Sequence, residues 1–146
     1  MTITITGMEI SHTKEVAAIE AHTFSEPWSV KAFEDAVNSN DYIYIVALDK
    51  DKVIGYAGCV VSMGEADITN IAVHNEYRRM GIGNELLCQL VKQMKIQGIG
   101  KVFLEVRESN NSARMLYSSN GFVEIGMRKN FYRKPDENAI LMELTI

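Results

Sequence analysis

The chain reads as an α/β (α+β) domain: a mixed, mostly antiparallel central sheet with one parallel strand–helix–strand unit and helices on both faces. Three observations predict it. Two β-rich runs, residues 42–48 and 53–61, are joined by the polar turn Asp49-Lys50-Asp51-Lys52, which makes a hairpin. A strand at 66–73, a long amphipathic helix and a strand at 101–107 follow in that order, a unit that is parallel and right-handed. No repeat, low-complexity tract or linker divides the 146 residues, so 1–146 reads as one domain.

Along the chain, residues 2–6 alternate Thr and Ile, a short strand. Residues 11–22 and 28–37 read as two helices, with Pro27 near the first turn of the second. After the hairpin and the strand at 66–73 comes the clearest helix. Its residues Ile82, Leu86, Leu87, Leu90, Val91 and Met94 recur at helical spacing, and Gly98 and Gly100 stop it. The strand 101–107 leads to a short helix at 111–119, with Asn and Ser available as caps and Gly121 past its end. Strands at 122–128 and 139–144 flank a charged loop.

Composition narrows the function classes. Hydrophobic residues make up 47% and charged residues 23%, an ordinary globular balance, and the formal net charge of -4 predicts no nucleic-acid footprint. Cys59 sits in an apolar run and Cys88 in a helical apolar pattern, so both read as buried free thiols without a base to activate them. The first ten residues lack the charged and apolar regions of a secretory signal, and no apolar run approaches the roughly 20 residues that cross a bilayer. The expectation is a cytoplasmic protein that binds neither membrane nor nucleic acid. His12, His22 and His74 are too scattered for a zinc site, so no metal is expected.

The segment Arg78-Arg79-Met80-Gly81-Ile82-Gly83-Asn84 joins a strand to the long helix. Glycines let the backbone turn tightly and approach a ligand, and a helix start offers unpaired N–H groups and the positive end of its dipole to a phosphate. A P-loop would need Gly-Lys-Ser/Thr, which is absent, and a dinucleotide fingerprint would need glycine where Leu86 stands.

On the strand 101–107, Phe103, Glu105 and Arg107 share a face. A carboxylate on a covered strand is costly unless it is paired, hydrogen-bonded or at a cavity. Two readings stand: an ion pair with Arg107, or a general base opening onto a cleft. Tyr117, twelve residues on, is either a core aromatic or a phenol able to protonate a leaving group.

Arg78-x-x-Gly81-x-Gly83 after Ile71-Ala72-Val73 resembles the coenzyme A-binding signature of the GNAT superfamily of N-acetyltransferases. The runs Leu104-Glu105-Val106-Arg107-Glu108-Ser109-Asn110, Ala113-x-x-Leu116-Tyr117 and Gly121-Phe122 look like its RimI branch. So do Pro27-Trp28-Ser29, Asn130-Phe131-Tyr132 and Leu141-Met142-Glu143-Leu144, so the resemblance spans nearly the whole chain. It implies a GNAT-type sheet, acetyl-CoA as co-substrate, and transfer to the N-terminal alanine of a small-subunit ribosomal protein, the eighteenth. It further implies that Ile71, Ala72 and Val73 hold the pantetheine arm. Arg79, Met80, Gly81, Ile82, Gly83 and Asn84 would hold the pyrophosphate, and Asn110 would also contact coenzyme A. Glu105 becomes the base and Tyr117 the acid.

Trp28, Phe131 and Tyr132, with Phe33, are expected to line or support the acceptor groove. One departure is Phe131-Tyr132-Arg133, where the family usually shows Tyr-Tyr-Pro, which removes a hydroxyl beside that groove. Glu65 is the rival base, and His74 a lesser one. Two further readings remain: the same chemistry on another N-terminus, a lysine or a small amine, and a non-catalytic acetyl-CoA-binding module.

Overall fold

The computed structural model describes residues 2–146. The strands are β1 (Ile3–Gly7), β2 (Tyr42–Asp49), β3 (Lys52–Ser62), β4 (Glu65–Val73), β5 (Lys101–Arg107), β6 (Val123–Tyr132) and β7 (Glu137–Thr145). The helices are α1 (Thr13–Thr23), α2 (Val30–Val37), α3 (Ile82–Ile96) and α4 (Asn111–Ser119). The seven strands form one sheet in the order β1-β2-β3-β4-β5-β7-β6, and every neighbouring pair is antiparallel except β4 with β5.

Two apolar clusters cover the sheet. On one face Leu86, Leu87, Leu90 and Met94 of α3 and Tyr117 of α4 pack on Ile54, Ile68, Val102 and Met142. On the other, Val16 and Ile19 of α1 and Phe33 and Ala36 of α2 pack on Tyr44, Val46, Tyr56 and Ala72. Seven consecutive residues of β3, Val53 to Cys59, are buried, as a strand covered on both sides requires. Gly58 is demanded by this packing, since a β-carbon there would lie 2.1 Å from the ring of Tyr44.

Between the α1 side of the sheet and the helix lies a polar knot. The carboxylate of Glu20, 2% exposed, accepts from the Tyr56 hydroxyl at 2.6 Å, from Asn70 Nδ2 at 3.1 and 2.9 Å, and from the backbone N–H of Trp28 at 2.9 Å. A buried charge is tolerable only when so thoroughly satisfied. The Tyr44 hydroxyl in turn donates to Asn70 Oδ1 at 2.5 Å and lies 2.6 Å from Thr69 Oγ1.

Several element ends differ from the sequence expectation. Ser29 Oγ accepts from Ala32 N at 3.1 Å and caps α2, so Pro27 precedes the helix instead of occupying its first turn. α1 begins at Thr13, after a 3-10 turn at Ile10–His12. The last two strands are longer than expected and leave only 133–136 as their loop. β6 is an edge strand exposed along nearly its whole length, so its Arg128-Lys129-Asn130 stretch carries the polar composition of a loop.

Candidate active site

The site starts where the parallel pair comes apart. β4 and β5 pair only at Glu65–Lys101, Ala66–Val102 and Asp67–Phe103. The residues of β4 from Ile68 to Val73 keep β3 on one side and have no strand on the other, while β5 continues against β7. The cause of the divergence is local. Gly58 pairs with Asn70 and Cys59 with Ile68, which leaves Thr69 as an extra residue in β4. Such a bulge bends its strand and strengthens the twist. Thr69 and Asn70, consecutive in sequence, both reach the Tyr44 hydroxyl, which a regular strand with alternating side chains forbids.

The glycine turn closes one end of this gap. Arg78 Nε donates to Val73 O at 3.1 Å, tying the turn back to β4. Gly81 takes φ +78 ahead of α3, a conformation open to glycine and strained for other residues. The N–H groups of the first turn of α3 have no intrahelical acceptor and carry the positive end of the dipole. A β-carbon at Gly83 would lie 3.7 Å from Leu116 and 3.8 Å from Val73, so the turn, the end of β4 and α4 converge. Asn84 Oδ1 accepts from Asn120 Nδ2 at 2.8 Å, fixing the same helix start to the end of α4.

Tyr117 is 5% exposed and packs against Phe122 with ring centroids 5.6 Å apart. Burial pushes its phenol well above the ordinary value of about 10. Its hydroxyl has no protein partner among the described residues, yet no fully buried side-chain polar atom there is left unpartnered. The oxygen therefore keeps some exposed surface. Asn110 caps α4, accepting from Ala113 N at 3.2 Å.

Glu105 lies past Phe103, the last residue of β5 that pairs with β4, and is partly exposed. The ion pair with Arg107 that its spacing allowed does not form. Arg107 turns to Glu137 at 3.2 Å, and it is Arg128 on β6 that faces Glu105, at 3.8 Å. Tyr132 is a neighbour too: burial first, and the Glu105 charge second, push its phenol up to about 12.

The other expected residues divide. Glu65 stands at the closed end of the β4–β5 pair opposite Lys101, which precedes Glu105 by four residues, so the two carboxylate positions lie about 13 Å apart along the strand direction. His74 accepts from Glu76 N at 3.1 Å and stacks edge-on against Tyr77, which uses it as a turn cap. Trp28 lies among Phe33, Tyr42 and Tyr44, with centroids 5.3 to 6.4 Å away, more a lid on the α2 core than an open groove wall. Phe131 is 46% exposed and sits 5.0 Å from Tyr132.

Two features of the site were not expected from sequence: the Glu20 anchor beneath Trp28, and the grip of Arg107 on the neighbouring loops. Glu20 carries a signal, since an acidic residue interrupts the apolar face of α1. Among the described residues no group of three His, Cys, Asp or Glu side chains could hold a metal, and no helix is long and apolar enough to span a bilayer.

A sheet opened by a bulge, with a glycine-capped helix start at the opening and a tyrosine beside it, is the architecture of acyl-transferring GNAT domains. The chain belongs to the acetyltransferase (GNAT) family, whose model matches residues 13–122. It is similar to the putative [ribosomal protein bS18]-alanine N-acetyltransferase of Bacillus subtilis, 35% identical over 143 residues, 97% of this chain and 95% of that one. To the [ribosomal protein bS18]-alanine N-acetyltransferase of Escherichia coli strain K12 it is 36% identical over 146 residues, 98% and 97% of the two chains. The crystal structure of the ribosomal-protein-S18-alanine N-acetyltransferase from Escherichia coli superposes with a TM-score of 0.92 at 34% identity, covering 99% of this chain and 94% of that one.

Proposed function

We propose that this enzyme transfers the acetyl group of acetyl-CoA to the α-amine of the N-terminal alanine of the small-subunit ribosomal protein bS18. One observation carries the reading. The freed edge of β4 runs from Ile68 to the glycine turn, and Glu105 and Tyr117 belong to the two elements that follow along the gap, β5 and α4. The freed N–H and C=O groups of Ile71, Ala72 and Val73 suit the amides of a pantetheine arm. The start of α3 at Gly81, Ile82, Gly83 and Asn84 suits a pyrophosphate.

In the mechanism that follows, Glu105 takes a proton from the acceptor ammonium, directly or through water. An α-amine, with a pKa of about 8 against about 10.4 for lysine, gives that proton up more readily near neutrality. The neutral nitrogen attacks the acetyl carbon, and N–H groups of the freed β4 edge stabilise the oxyanion. The C–N bond forms and the C–S bond breaks, and Tyr117 supplies the proton to the departing sulfur. The phenolate left behind takes the second proton of the attacking nitrogen, which is cationic once the C–N bond has formed, so amide, thiol and phenol all end neutral, as the apolar surroundings of the ring favour.

The test is to incubate the enzyme with acetyl-CoA and a peptide carrying the alanine N-terminus of bS18, then locate the added mass by fragmentation. Acetyl on the α-amine is expected. Preferential labelling of a lysine side chain or of a polyamine sinks the proposed acceptor, and binding without turnover on any amine sinks the enzymatic role.

A further inference from the structure

Two loops of this molecule come from opposite ends of the chain and meet over one side chain. Residues 24–28 lie in the link between α1 and α2, and residues 133–136 link β6 to β7. Arg107, at the end of β5, donates from Nη2 to Ser25 Oγ at 3.2 Å and to Arg133 O at 2.7 Å. From Nη1 it donates to Pro135 O at 2.9 Å and to Glu137 Oε1 at 3.2 Å. Its guanidinium also lies over the ring of Tyr132, 4.6 Å from the centroid. Glu137 is aimed in turn by Ser109, whose N–H donates to its other oxygen at 2.5 Å. Apart from Arg107, one hydrogen bond joins the two loops among the described residues, Ser25 Oγ to Arg133 O at 3.1 Å.

We propose that Arg107 is a positioning residue that sets the spacing of these two loops, and with it which acceptor peptides can reach Glu105. The inference rests on the functional reading above, in which the loops flank the acceptor. Its logic is geometric. A planar guanidinium offers five donors in a rigid fork and a face for stacking, so one group can satisfy two carbonyls, a hydroxyl and a carboxylate while lying on an aromatic ring. A lysine ammonium at the same place has three donors and no plane. Glu105 shares the strand face with Arg107 two residues away, and Tyr132, under the Arg107 guanidinium, also feels the Glu105 charge. The wide spread of contacts separates this role from simple neutralisation of Glu137. The loop between α1 and α2 is pinned independently at its far end, where Trp28 N donates to Glu20, so Ser25 is the part of it that Arg107 holds.

The experiment compares wild type with Arg107→Ala and Arg107→Lys by two readouts. In steady-state kinetics on an alanine-starting peptide, Arg107→Ala is expected to raise the acceptor KM about tenfold and to leave the KM for acetyl-CoA within about twofold, the signature of lost acceptor binding. Arg107→Lys is expected not to restore it. In hydrogen exchange, both variants are expected to speed exchange in residues 24–28 and 133–136 together, with no change at residues 79–84. An unchanged acceptor KM, full rescue by lysine, or faster exchange in one loop alone would overturn the proposal. If the alanine variant does not fold, the lysine variant carries both readouts. If wild type acetylates no alanine-starting peptide, the functional reading fails, and the exchange readout still decides whether Arg107 holds the loops.

Discussion

Arg128 Nε lies 3.8 Å from Glu105 Oε1, and the two residues stand on strands separated by β7. The cation that neutralises the proposed base thus comes from an exposed edge strand, on a side chain that also leans over Phe131, 5.9 Å from its centroid. In the proposed mechanism, an acceptor ammonium approaching Glu105 competes with Arg128 for the same oxygens.

Removing that competitor has a predictable outcome. The pair is well exposed, so it is worth less than about 1 kcal/mol. Arg128→Gln is expected to leave the melting temperature nearly unchanged and to lower the acceptor KM by about two- to fivefold. A raised KM would mean that Arg128 binds the acceptor instead of yielding to it.

The acid–base pair predicts a contrast in kinetics. Glu105→Gln and Tyr117→Phe each remove one group to which the proposal gives a proton transfer, and little volume. Each is expected to lower kcat by about 10²- to 10⁴-fold with a small change in either KM. Full turnover in either variant removes that residue from the mechanism.

The glycine turn predicts a defect on the cofactor side. Gly81 has a left-handed backbone, which costs an alanine about 1–2 kcal/mol. A side chain there meets nothing within 4 Å, so strain and not collision is the cause. Gly81→Ala is expected to raise the KM for acetyl-CoA several-fold and to spare that of the acceptor peptide, measured by varying each in turn.

Glu20 predicts a stability defect. Truncation to alanine leaves Tyr56, Asn70 and the Trp28 N–H without their acceptor in a buried place, at a cost of about 3–5 kcal/mol. For a chain of this size that is a fall in melting temperature of about 10 °C or more, readable by calorimetry. Glu20→Gln is expected to fall between, because its NH₂ meets donors.

The buried phenols predict an alkaline limit. Burial raises Tyr44, Tyr56 and Tyr117 above their ordinary value, and it takes Tyr132 to about 12. A proton held more tightly in the folded state stabilises it fully below the unfolded value of about 10, and that contribution is lost as pH rises through the folded one. Stability should therefore decline above about pH 10, and tyrosinate absorbance from these four residues should rise together with the loss of native circular dichroism. Early, separate ionisation of Tyr117 would show that its ring is not buried.

Much of this was legible in the sequence because it is written locally. The period of α3, the cap at Asn110 and the glycine turn each depend on neighbours a few residues away. The parallel β4–β5 unit followed from order alone. What escaped was set by distant partners. Arg107 is adjacent to Glu105 on one strand face, yet it bonds to Ser25 and Arg133, 82 and 26 residues away. The spacing that suggested a local ion pair says nothing of such partners. Trp28 is expected to line or support the acceptor groove, and the rings it packs on, Tyr42 and Tyr44 as well as Phe33, are partners that no local pattern names.

Thr69 is a single surplus amino acid, and a single codon could remove it. A strand cut to eight residues would alternate without interruption, and β5 could run alongside it for its full length. The pairs Gly58–Asn70 and Cys59–Ile68 would then follow one another in regular register, so Asn70 would keep its face and its reach to Glu20, and β4 would lose the bend that carries it away from β5. In this molecule the opening of the sheet coincides with one inserted amino acid, three nucleotides of its gene.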